Sequence, residues 1–215
     1  MIKAEGIEKS FNNLKVLKGV DFKADGAEVV AIVGASGAGK TTLLQVLGSL
    51  SIPDKGKVFI DETDIFSLSS KKMAEFRNKK IGFVFQSHHL LPEFTAIENV
   101  MIPALIAKKS THAATKEAEQ ILTDLGLGDR LTHKPSELSG GEQQRVAIGR
   151  AIINHPSIVF ADEPTGNLDS NTKKEIHKLF FDLRDKYNQT IIIVTHDMNL
   201  ANMCDRKVEI IDGVI

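Results

Sequence analysis

The stretch "EVVAIVGASGAGKTTLLQVLGSL", Glu28–Leu50, constrains the chain more than any other. A short apolar, β-branched run ends in a glycine-rich segment that passes directly into a helical pattern. "GASGAGKT", Gly34–Thr41, fits G-x-x-x-x-G-K-[ST] in the strand-to-helix setting that this spacing needs. Gly34, Gly37 and Gly39 let the backbone curl until its N–H groups converge on an anion, and the following helix aims its positive end at the same point. Lys40 is placed to reach β- and γ-phosphates, and the Thr41 hydroxyl to ligate Mg²⁺. The candidate phosphate contacts are Gly34, Ala35, Ser36, Gly37, Ala38, Gly39, Lys40, Thr41 and Thr42. A plain glycine-rich turn with an exposed lysine is a poor alternative in this setting.

Around that loop, strands and helices alternate. Strand patterns read at Ile2–Ile7, Val16–Lys23, Glu28–Val33, Lys57–Ile60, Ile81–Phe85, "SIVFA", "TIIIVTH" and Lys207–Ile211. Helical patterns follow the glycine loop and recur at Ala96–Ala107, Ala113–Leu125, after "SELSGGEQQ", and at Thr172–Lys186. Such alternation predicts an α/β fold with a mostly parallel sheet covered by helices. Residues from about 87 to 138 carry helices alone, so they read as a helical subdomain inserted in a core of about 1–86 and 139–215, one domain in all.

With 42% hydrophobic residues among 215, a sizeable core is affordable, and the formal charge of 27 − 28 = −1 offers no broad basic footprint for nucleic acid. Cys204 is the only cysteine, which excludes an internal disulfide and a multi-cysteine zinc site. The longest apolar runs, "VVAIV" and "IIIV", are strand-sized, and "MIKAEGIEKSF" has no signal core. The expectation is a soluble, intracellular chain.

Two further stretches bear on the phosphate loop. "SIVFADEP" ends a strand with Asp162 and Glu163: one carboxylate to hold Mg²⁺ and its waters, the other to polarise an attacking water. An acidic strand end or helix cap is the plainer reading of either alone. "LSGGEQQR", Leu138–Arg145, offers Ser139 as a cap and Gly140–Gly141 for close approach of backbone to an anion. It is a second phosphate-suited helix start in a chain with one phosphate loop.

These three motifs, in this order and over essentially the whole chain, resemble the ATP-binding subunits of ABC transporters. The resemblance implies a P-loop NTPase core with an N-terminal antiparallel β region and an inserted α-helical subdomain. It implies ATP and Mg²⁺ as ligands, and a head-to-tail homodimer in which each nucleotide lies between one chain's phosphate loop and the other's "LSGGE", Ser139, Gly140, Gly141 and Glu142 among its residues. It also assigns four residues: Phe11 to stack on adenine, where the family more often has tyrosine; Gln86 to touch Mg²⁺ and the attacking water; Asp169 to cross the dimer interface; and His196 to contact the γ-phosphate. Without it, Phe11 passes as a core aromatic, Gln86 as a surface amide, Asp169 as a helix cap and His196 as a polar strand end.

A soluble ABC ATPase of DNA repair or translation is the competing class, but the chain has no coiled-coil insertion, zinc module, second ATPase domain or basic arm. A GTPase would need N-K-x-D, which is absent. Within the transporter family, "RNKKIGFVFQSHHLLPEFTAIENVMIP" is similar to the lipoprotein-releasing group, with the MacB-type efflux and FtsE-type cell-division groups sharing "FVFQ", "LLP" and "ENV". That likeness implies integral membrane transporter subunits as partners and a peripheral place on the cytoplasmic face of a bacterial inner membrane. His88 and His89 read as neither metal ligands nor catalytic bases: adjacent side chains diverge, and Glu163 and His196 fill the family's roles. A solvated loop is the plain alternative to the favoured reading, a partner-facing surface beside Gln86.

Overall fold

The computed structural model describes residues 1–215. The chain runs β1 (Ile2–Phe11), β2 (Leu14–Ala24), β3 (Val29–Val33), α1 (Lys40–Leu47), β4 (Lys55–Ile60), β5 (Thr63–Asp64), α2 (Ser70–Lys80) and β6 (Ile81–Phe85). Then follow α3 (Ala96–Ile106), α4 (Thr111–Asp124), α5 (Gly140–Ile152), β7 (Ile158–Asp162), α6 (Ser170–Tyr187), β8 (Thr190–Val194), α7 (Met198–Met203) and β9 (Arg206–Glu209).

Two sheets form. The antiparallel one has the order β2-β1-β4-β5, and the parallel one β6-β7-β8-β3-β9. Period-2 alternation divides the parallel sheet between two cores. Val30, Ile32, Phe160, Ile192 and Val194 face α1 and the antiparallel sheet, where Ile2, Leu17, Phe22, Leu43 and Ile60 meet them. Val29, Val84, Val159, Ala161, Ile191 and Ile193 face the helices, with Val100, Leu122, Val146, Ile176 and Phe180. Each large side chain so buried contributes roughly 1.5–3 kcal/mol of hydrophobic stabilisation. The unbroken apolar runs seen in the sequence are thus strands covered on both faces.

Residues 96–137 hold only helical elements. A buried amide organises the entry to them. Asn99, fully buried on α3, accepts from the Leu91 N–H at 2.8 Å and donates to the carbonyls of Leu91, Phe94 and Thr95. A Thr95–Glu98 capping box starts the same helix. Helix α2 has no counterpart in the sequence-predicted elements. None of its residues is fully buried, so it shows no apolar face to detect; only Phe76 is packed against the core.

No helix is long and apolar enough to cross a membrane.

Candidate functional site

Parallel pairing sets four strand ends side by side. Phe85 lies opposite Asp162, Asp162 opposite Val194, and Val194 opposite Ile32. The segments that leave these strands carry Gln86, Asp162–Glu163, His196 and the Gly34 loop, which places them along one carboxyl edge of the sheet. This is where α/β sheets bind ligands.

The loop closes on α1 as its glycines require. Gly37 and Gly39 take φ values of 80° and 106°, a region closed to most side chains, and Lys40 and Thr41 open the helix. The Lys40 ammonium donates to the Gly34 and Ala35 carbonyls, each at 2.8 Å. Ala35, Ser36, Gly37 and Thr41 are exposed, Thr42 is partly so, and Ala38 is buried. The Thr41 hydroxyl donates to Asp162 Oδ1 at 3.2 Å. Burial pushes the Asp162 carboxyl above the usual carboxylate range. The Glu163 charge pushes the same way, against the Thr41 hydroxyl and Lys40.

Glu163 holds a left-handed φ of 45°, fixed by its own N–H donating to Val194 and its carbonyl accepting from Gly166. A non-glycine residue so placed is strained by of order 1 kcal/mol or more, a cost that recurs at functional positions. The twist carries its carboxylate across to His196: Oε1 is 2.9 Å from Nδ1, and Oε2 accepts from the His196 backbone N–H at 3.3 Å. The His196 side chain is otherwise exposed. Gln86 turns elsewhere. Its amide donates to Asn167 Oδ1 at 2.8 Å, and it makes no hydrogen bond to Thr41 or Asp162.

The remaining candidates form a second group. Ser139 caps α5 by accepting from the Glu142 N–H, while Glu142 accepts from the Ser139 N–H and from Arg130. Those donors hold the Glu142 carboxylate below its usual range, the Ser139 N–H first. Asp169 caps α6, accepting from the Asn171 and Thr172 N–H groups and the Thr172 hydroxyl, and its pKa is lowered by the Thr172 hydroxyl above all. These helix starts abut: a Cβ on Gly141 would overlap the Thr172 methyl. No hydrogen bond or ion pair joins Ser139–Glu142 to the chain's own Gly34–Thr42 loop. Phe11 stands apart at the tip of the β1–β2 hairpin, exposed, with Lys9 over its ring at 5.5 Å. The side chains of Val16 and Leu17 in the same hairpin lie against Gly39.

The adjacent histidines owe their place to backbone rather than to imidazole chemistry. His88 and His89 both take left-handed φ, 56° and 49°, and the Arg150 guanidinium binds their two carbonyls at 2.6 Å each. His88 is half-buried, with its pKa lowered by that burial, and His89 is exposed, edge-on to Phe85. Arg150 and Asn167 escaped the sequence reading because each bonds a main-chain or amide group distant in sequence, and Asn99 because its partners are the main chain of the preceding loop rather than a motif. The buried His177 on α6 also went unread: its Nε2 lies 3.1 Å from the hydroxyl of Thr165, two residues past Glu163.

The family model described as "ABC transporter" matches residues 17–166. The chain is similar to the lipoprotein-releasing system ATP-binding protein LolD of Bacteroides thetaiotaomicron, 59% identical over 100% of this chain and 99% of the relative. It is likewise 59% identical to LolD of Porphyromonas gingivalis, over 100% of this chain and 98% of that one. Among solved structures, a dimeric ATP-binding cassette, MJ0796, in a post-hydrolysis state bound to ADP and Pi superposes with a TM-score of 0.90. It is 38% identical, over 100% of this chain and 96% of that one. The strand-edge loop, the paired carboxylates and these full-length likenesses agree: the chain belongs to the ABC transporter family, as one of its ATP-binding, ATP-hydrolysing subunits.

Proposed function

We propose that this chain is the ATPase that drives release of lipoproteins from the inner membrane toward the outer membrane. The observation that carries the reading is its 59% identity, end to end, to proteins named as lipoprotein-releasing system ATP-binding subunits. No helix of the chain can cross a membrane, so the work is delivered through integral membrane subunits, resembling LolC and LolE, from a peripheral position on the cytoplasmic face.

In this reading the Gly34–Thr42 loop cradles the phosphates of ATP, and Lys40 exchanges its two carbonyl partners for phosphate oxygens. Thr41 and Asp162 are oxygen donors already in contact, a fitting pair for a hard cation, with Gln86 on the neighbouring segment as a third. When bound there, Mg²⁺ supplies neutralisation of the charge on the outer phosphates. Glu163 accepts a proton from the attacking water, and His196, held by Glu163, faces the γ-phosphate.

Ser139, Gly140, Gly141 and Glu142 close over the nucleotide of a second copy, since they are anchored on α6 and not on their own loop. Asp169 lies at that interface and Phe11 under the adenine. The Gln86–Asn167 bond ties the nucleotide edge to both the Asp169 segment and the His88–Leu91 loop. Residues of about 87–138 then act as a helical subdomain that meets the membrane partner.

Co-expression with the LolC- and LolE-like membrane subunits tests the reading. A copurifying complex that releases a lipoprotein from proteoliposomes only with ATP is the expected result. Copurification instead with an efflux or cell-division membrane protein, and no lipoprotein release, would overturn it.

A further inference from the structure

Glu163 and His196 leave the neighbouring strands β7 and β8 and meet at the carboxyl edge of the sheet, with Glu163 Oε1 2.9 Å from His196 Nδ1. The imidazole of that pair is exposed, and a solvated side-chain contact holds two segments together only weakly. A second tie joins the same two segments, and it comes from α6.

His177 lies on α6 beside the core residue Ile176 and is only 4% exposed. Its Nε2 is 3.1 Å from the hydroxyl of Thr165, two residues past Glu163, and 4.0 Å from Oδ2 of Asp197, one residue past His196. Thr165 is buried as well. Asp197 is fixed in its turn: Oδ1 accepts from the Asn199 and Leu200 N–H groups, and its own N–H donates to the Thr195 hydroxyl at 3.0 Å. One ring nitrogen thus stands between a hydroxyl on the Glu163 segment and a carboxylate on the His196 segment. Burial holds the His177 pKa below its ordinary value, against the pull of Asp197, so the ring is neutral at pH 7. A polar ring costs more to bury than a phenyl group of similar shape, and the contact with Thr165 offsets that cost.

We propose that His177 is a positioning residue for ATP hydrolysis, which fixes the separation of the Glu163 and His196 segments through Thr165 on one side and Asp197 on the other. It touches no reacting atom itself. The turn that it holds is closed by the Gly166 N–H donating to the Glu163 carbonyl at 3.0 Å, and the same turn keeps Glu163 in its left-handed conformation. No hydrogen bond joins His177, Thr165 or Asp197 to the Gly34–Thr42 loop, so the tie acts on the carboxylate and leaves the grip on phosphate alone. Because α6 also packs its Thr172 against Gly141, the helix that seats the Ser139–Glu142 segment is the helix that sets the catalytic pair. The proposal rests on the roles given above to Glu163 and His196.

Phosphate release by the purified complex, measured against ATP concentration, tests it. His177→Phe fills the space and removes Nε2; Thr165→Val removes the hydroxyl at nearly equal volume; His177→Gln restores a polar group near the place of Nε2. A misplacement of about 1 Å at a catalytic group can cost about 10²-fold in rate, so a partial release of the turn is expected to lower kcat about tenfold in His177→Phe and in Thr165→Val, with KM for ATP within about twofold of the parent. The double variant is expected to be no slower than either single one, because both remove the same bond. His177→Gln is expected to recover kcat to within about threefold of the parent. A parental kcat in folded His177→Phe would overturn the proposal. So would losses that multiply in the double variant, or a His177→Gln as slow as His177→Phe, either of which would make the ring a packing element only. A raised KM at unchanged kcat would refute it in favour of a part in nucleotide binding. Where His177→Phe does not fold, a parental kcat in Thr165→Val refutes it alone. Glu163→Gln, measured alongside, separates the two layers: undiminished turnover there removes the site reading, whereas a slow Glu163→Gln beside a fast His177→Phe removes this proposal only.

Discussion

Replacing Glu163 by glutamine separates catalysis from folding at a single atom pair. The amide keeps the length, an acceptor oxygen and the capacity to contact His196, which lies 2.9 Å from Oε1. It loses the basic oxygen that takes a proton from water. A positioned general base is worth about 10²–10⁴-fold in rate, or roughly 3–5 kcal/mol of barrier. Turnover by the complex is therefore expected to fall by at least two orders of magnitude.

Stability is expected to move slightly the other way. Asp162 has a folded pKa raised by burial and, in part, by the adjacent Glu163 charge. For a carboxyl raised on folding, the stabilisation is complete below its unfolded pKa and is lost as pH rises through the folded value. At neutral pH the fold thus bears the cost of an ionised Asp162 beside Glu163, and the substitution relieves part of it. The exposed His196 gives up little, because a solvated side-chain contact is worth ~1 kcal/mol or less. Phosphate release by the purified complex measures the first effect, and thermal denaturation of the isolated subunit at pH 7 the second. Glu163→Gln should bind ATP, melt no lower than the parent, and accumulate as an ATP-bound dimer on gel filtration. Turnover within threefold of the parent would refute the assignment of Glu163, and a drop in melting temperature would refute the account of the Asp162–Glu163 repulsion.

Other sites give sharper tests of particular contacts. Ser139→Arg puts bulk and charge at the start of α5, away from the chain's own phosphate loop, so the monomer should still bind ATP while dimerisation and hydrolysis fail; loss of monomer binding would show that the half-sites belong to one chain. Gly141→Ala drives a methyl into that of Thr172 and should cost about 1–3 kcal/mol, with Thr172→Ser in the same chain restoring the melting temperature because serine keeps the hydroxyl bond to Asp169 and drops the methyl. Asn99→Ala removes four hydrogen bonds to the Leu91–Thr95 segment and should destabilise by about 2–4 kcal/mol; unchanged amide-exchange protection of those residues would refute the clamp.

What the sequence made legible, and what it did not, follows from the range of the interactions. The glycine loop is a local device: its residues must curl there whatever surrounds them, and the strand and helix beside it appear with small changes of boundary. The alternating strands and helices announce a parallel sheet for a similar reason, since each buried strand is apolar throughout. Strand order is another matter, because β3 sits between β8 and β9, partners about 160 residues and more away in sequence, and only the packed sheet decides that. Helix α2 was missed since it has no buried residue. The paired histidines show the limit most clearly. Their side chains invite questions about metal and catalysis, yet the structure uses their carbonyls, which leave a left-handed backbone and are held by an arginine sixty-one and sixty-two residues away. A side-chain alphabet records Arg150 as one more polar residue on an amphipathic helix. Its function in the fold is to convert a position on α5 into a backbone geometry next to Gln86, because its guanidinium holds the carbonyls of His88 and His89 where the chain leaves the carboxyl edge of the sheet.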